Sequence, residues 1–317
     1  MNSSGLAHRD TLRRMLRSRY RDVTGVVRLD SAQPGPTLGV TIFTHGNEPC
    51  GLAVCQHVLS GITKRLVKGS IILVVNNPRA AQRYFAARTN EEKRQARFID
   101  INMNRLPSRK IRGRSYEERR ARELMPIWRQ FDVALDIHST TKQSRPMIIG
   151  RGHRPHSELL RGFPIHTLIT NIDGVQIGHP AFSFYGSSAK ASVALAIEAG
   201  QHEAKASEER ALTCTLALMR NLGMLERRSR TSRARTFVEY EVTSSIMFPD
   251  DSYEFVREFT PFRKVRKGEI LAKGSGKPIR APHDGVLLMA KSRRQKADLS
   301  EEVAFLSKPG RRIILRS

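Results

Sequence analysis

The sequence predicts an α/β fold, in which a mainly parallel or mixed sheet is flanked by helices, followed by a small all-β domain. From about residue 38 to residue 224, short apolar runs alternate with helical stretches. Strands that are apolar on both faces and alternate with helices are typical of a sheet covered on both sides. Beyond residue 236 the runs become shorter and glycines separate them, as in a compact β domain. We therefore expect an α/β domain over 1–235 and a β-rich domain over 236–317.

Each element of the α/β part has a recognisable signature. "LGVTIFT" is a buried strand, and the helix that follows has Pro49 at its first turn, a position that proline favours. "SIILVVNNP" is a second apolar strand that ends at a proline. "FDVALDIHS" and "SVALAIEAG" are further apolar strands, and a helix follows from about Ala206 to Leu222. In such sheets, ligands bind beyond the carboxyl ends of the strands.

The C-terminal part has a different character. "TFVEYEVTSSIMF" alternates as a strand, and the segment around "APHDGVLLMA" has short strands separated by turns. The sequence of this segment resembles the half-barrel repeats of lipoyl- and biotinyl-type domains. A carrier domain needs a modifiable lysine at the tip of its hairpin, and the turn "PHDG" contains none. We therefore expect a structural β domain rather than a mobile carrier.

Length and composition indicate a folded protein without a membrane span. The chain has 317 residues, 39% hydrophobic and 27% charged, enough for a sizeable core. No apolar run reaches the roughly 18 residues that a membrane-spanning helix needs, and the N-terminus lacks the apolar segment of a secretory signal. The three cysteines are odd in number and form no CxxC pair. We expect small buried thiols and a cytoplasmic location.

The charge balance is strongly basic. Lys plus Arg number 55 and Asp plus Glu number 30, which leaves a net charge of +25. Such an excess favours anionic partners, from acidic small molecules to nucleic acid. The aromatic residues are only 6% and no RNA-recognition, zinc-finger or helix-turn-helix signature is present. We therefore do not expect nucleic acid to be the main ligand, and we expect most of the charge to coat solvated faces. The basic runs lie at 9–21, 79–114, 227–235 and 291–296.

Polar side chains able to bind a metal or carry protons follow three separate strands. His45 and Glu48 come after the first strand, His138 ends another, and Glu198 ends a fourth. Each residue alone has an ordinary explanation, such as a hydrogen-bonded loop histidine, a carboxylate at a helix N-terminus or an ion-paired strand end. Because the carboxyl ends of parallel strands meet at one edge, we expect the four side chains to share a single site.

The residue types in this group are those of a catalytic zinc site. Catalytic zinc is often held by two histidines and a glutamate, with one position left open. We therefore assign His45, Glu48 and His138 as ligands of one Zn²⁺ per chain. Gly46 would permit the sharp bend between the first two, and Asn47 would tolerate an unusual backbone angle. Cobalt or manganese could occupy the same ligands.

Three further roles complete the predicted chemistry. Glu198 is a candidate general base and then acid, since hydrolysis requires proton transfer to the leaving nitrogen. In "ARFIDINMNRL", Arg97 and Arg105 are candidates to stabilise negative charge on the carbonyl oxygen. Asn104 beside Arg105 could bind a substrate carboxylate in a planar, two-pronged way. Asp136, two residues before His138, is either an acceptor that orients an imidazole or a simple strand-end carboxylate.

The motifs resemble those of a known family. "HGNExxG", "NNPRA", "RFIDINMNR", "DIHST" and "AIEAG", in this order over about residues 38 to 202, resemble the succinylglutamate desuccinylase/aspartoacylase family. The resemblance implies a zinc carboxypeptidase-like fold and cleavage of a small N-acyl amino acid into a carboxylate and a free amine. It also implies His45, Glu48 and His138 as zinc ligands and Glu198 as the catalytic carboxylate.

The resemblance further implies roles for the polar residues of "RFIDINMNR". Arg97 matches the residue that polarises the scissile carbonyl, while Asn104 and Arg105 match the pair that grips a substrate carboxylate. The C-terminal β domain also fits members of this family.

Two departures from the family pattern bear on the substrate. Asn102 stands where the family has an aspartate, and Ser188, with Lys190 close by, stands near the place of an arginine that aspartoacylases use for the α-carboxylate. The substrate is therefore not expected to be N-acetylaspartate itself.

Two other functions remain open at this point, as does the oligomeric state. One is a carboxypeptidase-like metallopeptidase acting on a peptide or cell-wall fragment. The other is a basic nucleic-acid-binding protein on a vestigial hydrolase fold. A homo-oligomer is compatible with the sequence, which does not specify an oligomeric state.

Overall fold

The structure is a computed structural model that describes residues 3–150, 157–186, 193–226, 235–293 and 299–315. The helices are α1 Ser3–Arg17, α2 Leu52–Leu59, α3 Pro78–Ala86, α4 Asn90–Gln95, α5 Tyr116–Trp128 and α6 Lys205–Asn221. The strands are β1 Arg19–Tyr20, β2 Val23–Thr24, β3 Val26–Asp30, β4 Thr37–Ile42, β5 Ser70–Val75, β6 Val133–Thr140, β7 Met147–Gly150, β8 Thr167–Thr170, β9 Val193–Gln201, β10 Arg235–Ile246, β11 Glu254–Phe255, β12 Arg263–Val265, β13 Ile270–Lys273, β14 Ile279–Arg280, β15 Gly285–Leu288, β16 Ala304–Ser307 and β17 Arg311–Leu315.

A large mixed sheet dominates the fold, as the sequence predicts. Its strand order is β12-β15-β16-β10-β8-β7-β9-β6-β4-β5-β3, with β17 also paired to β10. At its centre β9, β6, β4 and β5 are parallel, while β3 and β7 run antiparallel to their neighbours β5 and β9. The carboxyl ends of β4, β6 and β9 therefore meet at one edge.

Helices cover both faces of the central strands, which explains why those strands are apolar throughout. In β5, Ile71 and Leu73 belong to the cluster that packs against α1, α2 and α6. Ile72 and Val74 belong to a second cluster, which includes Leu124 of α5. Alternate side chains of a strand point to opposite faces, so a strand covered on both sides needs apolar residues at every position. The predicted α/β class is confirmed.

One sequence expectation needs local adjustment. The single helix expected over 49–66 is divided into a 3-10 turn at Pro49–Gly51, helix α2 and a second 3-10 turn at Ile62–Arg65. Gly61, whose φ is +142°, separates α2 from the second turn, and that angle lies outside the helical region. All three cysteines are buried free thiols, as expected.

The C-terminal segment continues the sheet instead of standing apart from it. The first half of β10 pairs in parallel with β8 and its second half pairs with β16. Strands β11, β13 and β14 form a small separate sheet over a third apolar cluster. The division of the chain at residue 236 stays a prediction, and the hydrogen bonding of the sheet crosses that point.

The turn at "PHDG" is fixed by hydrogen bonds to neighbouring segments. His283 Nε2 lies 2.7 Å from Thr243 Oγ1, and Asp284 accepts a hydrogen bond from the amide of Lys267. Within the described residues, no helix is both long enough and apolar enough to cross a membrane.

Candidate metal centre

The carboxyl edge of β4 and β6 brings the three predicted metal ligands together. These strands are adjacent and parallel, so the loop after β4 faces the end of β6. Glu48 lies between the two histidines, with Oε1 2.8 Å from His45 Nδ1 and Oε2 2.8 Å from His138 Nδ1. One ligand atom from each of the three residues lies within 4.8 Å of the others, and all three residues are buried.

Close packing of the loop after β4 fixes the direction of its ligands. A Cβ on Gly46 would lie 2.3 Å from Ala96 O and 2.4 Å from the carbonyl carbon of Ala80, so only glycine fits there. The unusual backbone angle falls on Phe43, with φ +54°, and not on Asn47 as the sequence suggested. A non-glycine residue at positive φ is strained, and Phe43 is held there as a fully buried residue.

The donor set suits a zinc-class ion, and one of its histidines must lose a proton to bind it. Burial lowers the pKa of His138, but the charges of Asp136 and Glu48 outweigh burial and raise that pKa well above its usual range, so a bound ion would displace a proton from this imidazole. Burial and the nearby Arg97 charge lower the pKa of His45 to about 4, so its imidazole is neutral near pH 7, the form that binds metals. Burial works against the charged form of Glu48, but the two imidazoles outweigh it and hold the pKa of this carboxyl well below its usual range. Two imidazole nitrogens and one carboxylate are the ligands that catalytic zinc prefers.

The ring nitrogen of His138 that faces away from Glu48 contacts a buried carboxylate. His138 Nε2 lies 3.2 Å from Asp136 Oδ2. Asp136 is itself fixed by the hydroxyls of Thr41 and Thr44, at 2.7 and 2.9 Å, and by the phenol of Tyr185 at 3.3 Å. Of the two alternatives that the sequence left open, this contact favours the acceptor that orients the imidazole. Nothing in the sequence pattern pointed to Tyr185.

His45 contacts a different residue, Asn102, which stands where the family has an aspartate. Its Nε2 lies 3.0 Å from Asn102 Oδ1. The amide nitrogen of Asn102 donates to Glu301 Oε1 at 2.6 Å, and Lys291 donates to the other oxygen at 3.3 Å. Burial raises the pKa of Glu301, but the charges of Arg97 and Lys291 and the bond from Asn102 outweigh it and lower the pKa to about 2.

Arg97 lies beside the ligands, where the sequence placed a cation. Its Nη1 donates to Glu48 Oε1 at 3.2 Å, and its Nη2 lies 3.1 Å from His45 Nε2. Its side chain is 35% exposed. It therefore borders both the ligand cluster and the solvent from which a substrate would enter.

Glu198 lies on β9, opposite His138 of β6 in the strand pairing. Its Oε2 is shielded from solvent and has no hydrogen-bond partner among the described residues. Burial, together with the negative charge of Glu48, raises the pKa of Glu198 to about 8, although His138 and Arg97 act in the opposite direction. A carboxyl group poised near neutral pH can both take up and release a proton.

Asn104 and Arg105 lie next to this cluster but are occupied by protein partners. Asn104 Oδ1 accepts from the amide of Ala181 at 3.0 Å, and its Nδ2 lies 3.5 Å from His138 Nε2. Arg105 forms an ion pair with Glu302, with Nη2 2.7 Å and Nε 2.8 Å from Oε2.

Sequence reasoning missed Glu301 and Glu302. The only signal for them is an acidic pair just before the apolar strand β16. Ser188 and Lys190, the residues near the place of the family's arginine, lie outside the described residues.

The chain thus combines a mixed α/β sheet with a His–Glu–His cluster, able to hold a metal ion, at the carboxyl edge of its central strands. The family model described as the succinylglutamate desuccinylase/aspartoacylase catalytic domain matches residues 34–224. The chain belongs to this family.

Individual relatives agree with this membership. A succinylglutamate desuccinylase from Vibrio cholerae serotype O1 is 24% identical over 302 residues, which cover 88% of this chain and 83% of the relative. The structure of a succinylglutamate desuccinylase from Vibrio parahaemolyticus has a TM-score of 0.65 at 15% identity, covering 97% of this chain and 98% of that one. Murine aminoacylase 3 has a TM-score of 0.58 at 21% identity, covering 89% and 98%. At these identities, the structural likeness shows a shared fold.

Proposed function

We propose that this protein is a zinc-dependent amidohydrolase that cleaves an N-acyl amino acid, or a related small acidic amide, into a carboxylate and a free amine. The observation that carries the proposal is the buried cluster of His45, Glu48 and His138 beside a carboxyl group, Glu198, whose Oε2 has no partner among the described residues. Family membership and the desuccinylase among its relatives support the same reaction type.

Each site residue has a role in this reaction. His45 and His138 would hold the ion through Nδ1, with Glu48 as the third ligand. When bound, such an ion polarises a carbonyl group and lowers the pKa of a water molecule. Glu198 Oε2 would take a proton from the attacking water and return it to the leaving nitrogen. Arg97 would stabilise the negative charge that develops on the carbonyl oxygen.

Metal analysis combined with an activity screen tests the proposal. The purified protein should contain about one zinc-class ion per chain, and a panel of N-acyl amino acids should include at least one that it hydrolyses. Removal of the ion with a chelator should abolish turnover, and added zinc should restore it. A protein without stoichiometric metal that is inactive on the whole panel would contradict the proposal.

The same metal centre would serve a carboxypeptidase-like peptidase. Arg105 is engaged by Glu302, and because an N-acyl amino acid carries a carboxylate just as a peptide C-terminus does, this ion pair does not distinguish the two activities. Turnover of dipeptides compared with that of N-acyl amino acids separates the two activities. A nucleic-acid-binding role predicts a salt-sensitive gel shift.

We also propose a cytoplasmic location and a small-molecule substrate. All three cysteines are free buried thiols, which is usual in a reducing compartment.

A further inference from the structure

The guanidinium of Arg105 has no edge left with which to grip a carboxylate. Its Nε and Nη2 both contact Glu302 Oε2, at 2.8 and 2.7 Å. Its Nη1 donates to Asn104 O at 2.8 Å and to Gln176 Oε1 at 3.3 Å. A two-pronged grip on a carboxylate needs two parallel N–H groups on one edge, and each edge here includes a nitrogen that already donates to the protein.

Glu302 cannot easily give up this arginine. Its side chain is 0% exposed, and its other oxygen, Oε1, accepts a hydrogen bond from the backbone amide of Ile177. If a substrate carboxylate displaced it, Glu302 would become a buried carboxylate without a cation. Leaving one charge of a buried pair uncompensated is strongly unfavourable, so substrate exchange at Arg105 is opposed.

The neighbouring glutamate, Glu301, is also occupied by protein partners. Glu301 accepts hydrogen bonds from Asn102 and Lys291. The segment before β16 thus brings two adjacent carboxylates to the catalytic edge, and each is matched with a cation. A pocket that recognised several substrate carboxylates would need cations in excess at this place.

We propose that Glu302 is a specificity-determining residue that occupies Arg105, so that the substrate group lying beside Arg105 is uncharged. This inference rests on the proposed deacylase function and names its substrate class. The substrate would be an N-acyl amino acid with a neutral polar group at this position, rather than a dicarboxylate such as an N-acyl glutamate or an N-succinyl amino acid.

Matched substrate pairs test this specificity from both ends of the amide. N-acetylglutamine and N-acetylglutamate differ only in the amino acid side chain, while N-succinamoyl- and N-succinyl-alanine differ only in the acyl group. For the pair whose variable group lies beside Arg105, the wild-type kcat/KM should be at least about tenfold higher for the amide, a difference of about 1.4 kcal/mol. The Glu302→Gln variant should shift this ratio at least tenfold toward the carboxylate.

Two further variants distinguish charge from shape. Glu302→Asp keeps the negative charge and should retain the preference for the amide. Glu241→Gln removes a carboxylate from an exposed ion pair with Lys308 in the same C-terminal part and should leave the ratio unchanged. Circular dichroism and zinc content show whether each variant has folded.

A binding measurement separates this inference from the proposed function. Calorimetric titration of the zinc-loaded protein with succinamate and with succinate compares two ligands that share one carboxylate and differ in the second group. Tighter binding of succinamate, reversed in Glu302→Gln, supports the assignment even if no amide is hydrolysed. Equal or tighter binding of succinate by the wild type, or a preference that Glu302→Gln does not change, overturns it.

Discussion

Glutamates are held in two different ways on the two sides of the candidate centre. At the ends of the central strands, Glu48 shares its oxygens between two imidazoles, and Glu198 keeps an oxygen without a partner among the described residues. In the segment before β16, Glu301 and Glu302 each accept from a cation and from an amide N–H group.

The pKa values follow this difference in partners. Burial raises the pKa of Glu198 to about 8. For Glu301 burial acts in the same direction, but nearby cations and the bond from Asn102 outweigh it and lower the pKa to about 2. The strand-end side, which contains Glu48 and Glu198, is therefore suited to metal binding and proton transfer. The C-terminal side, which contains Glu301 and Glu302, is suited to neutralising nearby cations and positioning their side chains.

The largest expected effects come from two substitutions on the strand-end side, one of a metal ligand and one of the carboxyl group that transfers protons. His138→Ala should lose both metal and activity, since it removes a ligand. Glu198→Gln should lower kcat by about 10²- to 10⁴-fold, the usual contribution of general acid–base catalysis, and should leave the zinc content unchanged. Kinetics and elemental analysis measure both quantities.

The matched control for these two variants is Glu209→Gln, an exposed glutamate of α6, which should behave as the wild type. Normal hydrolysis by the Glu198→Gln protein would show that the role assigned to this carboxyl is wrong.

A smaller effect is expected from the partner of His138. Asp136→Asn keeps the shape but removes the charge that orients the imidazole, and such changes typically lower metal affinity by about 10- to 100-fold. Competition with a chromophoric zinc chelator measures the affinity. Thr215→Val, which alters a buried hydroxyl that bonds within α6, is the control and should retain wild-type affinity. An unchanged affinity in Asp136→Asn would mean that the contact with His138 does not influence the metal.

The smallest expected effect is a coupling between the two sides. Asn102→Asp would place a second carboxylate beside Glu301, where the amide now donates at 2.6 Å, and should lower the free energy of unfolding by about 1–3 kcal/mol. Adding Glu301→Gln should recover most of the loss, because the amide and the carboxylate then exchange roles. Denaturant unfolding of the single and double variants gives the interaction energy. Additive losses would show that Asn102 and Glu301 act independently.

Much of the strand-end side could be predicted from the sequence. Apolar runs alternating with helices indicate a covered parallel sheet, and carboxyl ends of parallel strands converge at one edge. His45, Glu48 and His138 could therefore be grouped from their positions after strands, although they come from separated segments. The structure places these side chains together, whereas their roles in catalysis remain to be tested by the variants above.

The backbone strain of the loop after β4 could not be placed from sequence. Asn47 tolerates an unusual backbone angle by type, yet Phe43 adopts it. Phe43 is fully buried, and a strained angle persists only where the surrounding packing holds it, which residue type alone does not specify.

By itself, the sequence determined the fold class, the family motifs and the edge of the sheet where the ligands meet, because these depend on hydrophobic periodicity and on residues that follow strands. Only the tertiary structure decided what Arg105 and Asn102 are bonded to. Their partners, Glu302 and Glu301, lie 197 and 199 residues away along the chain, on a segment that reaches them because β10 continues the central sheet and β16 pairs with β10. The sequence specifies which side chains are charged. Whether a charged side chain is available to a substrate depends on which residues the fold places beside it.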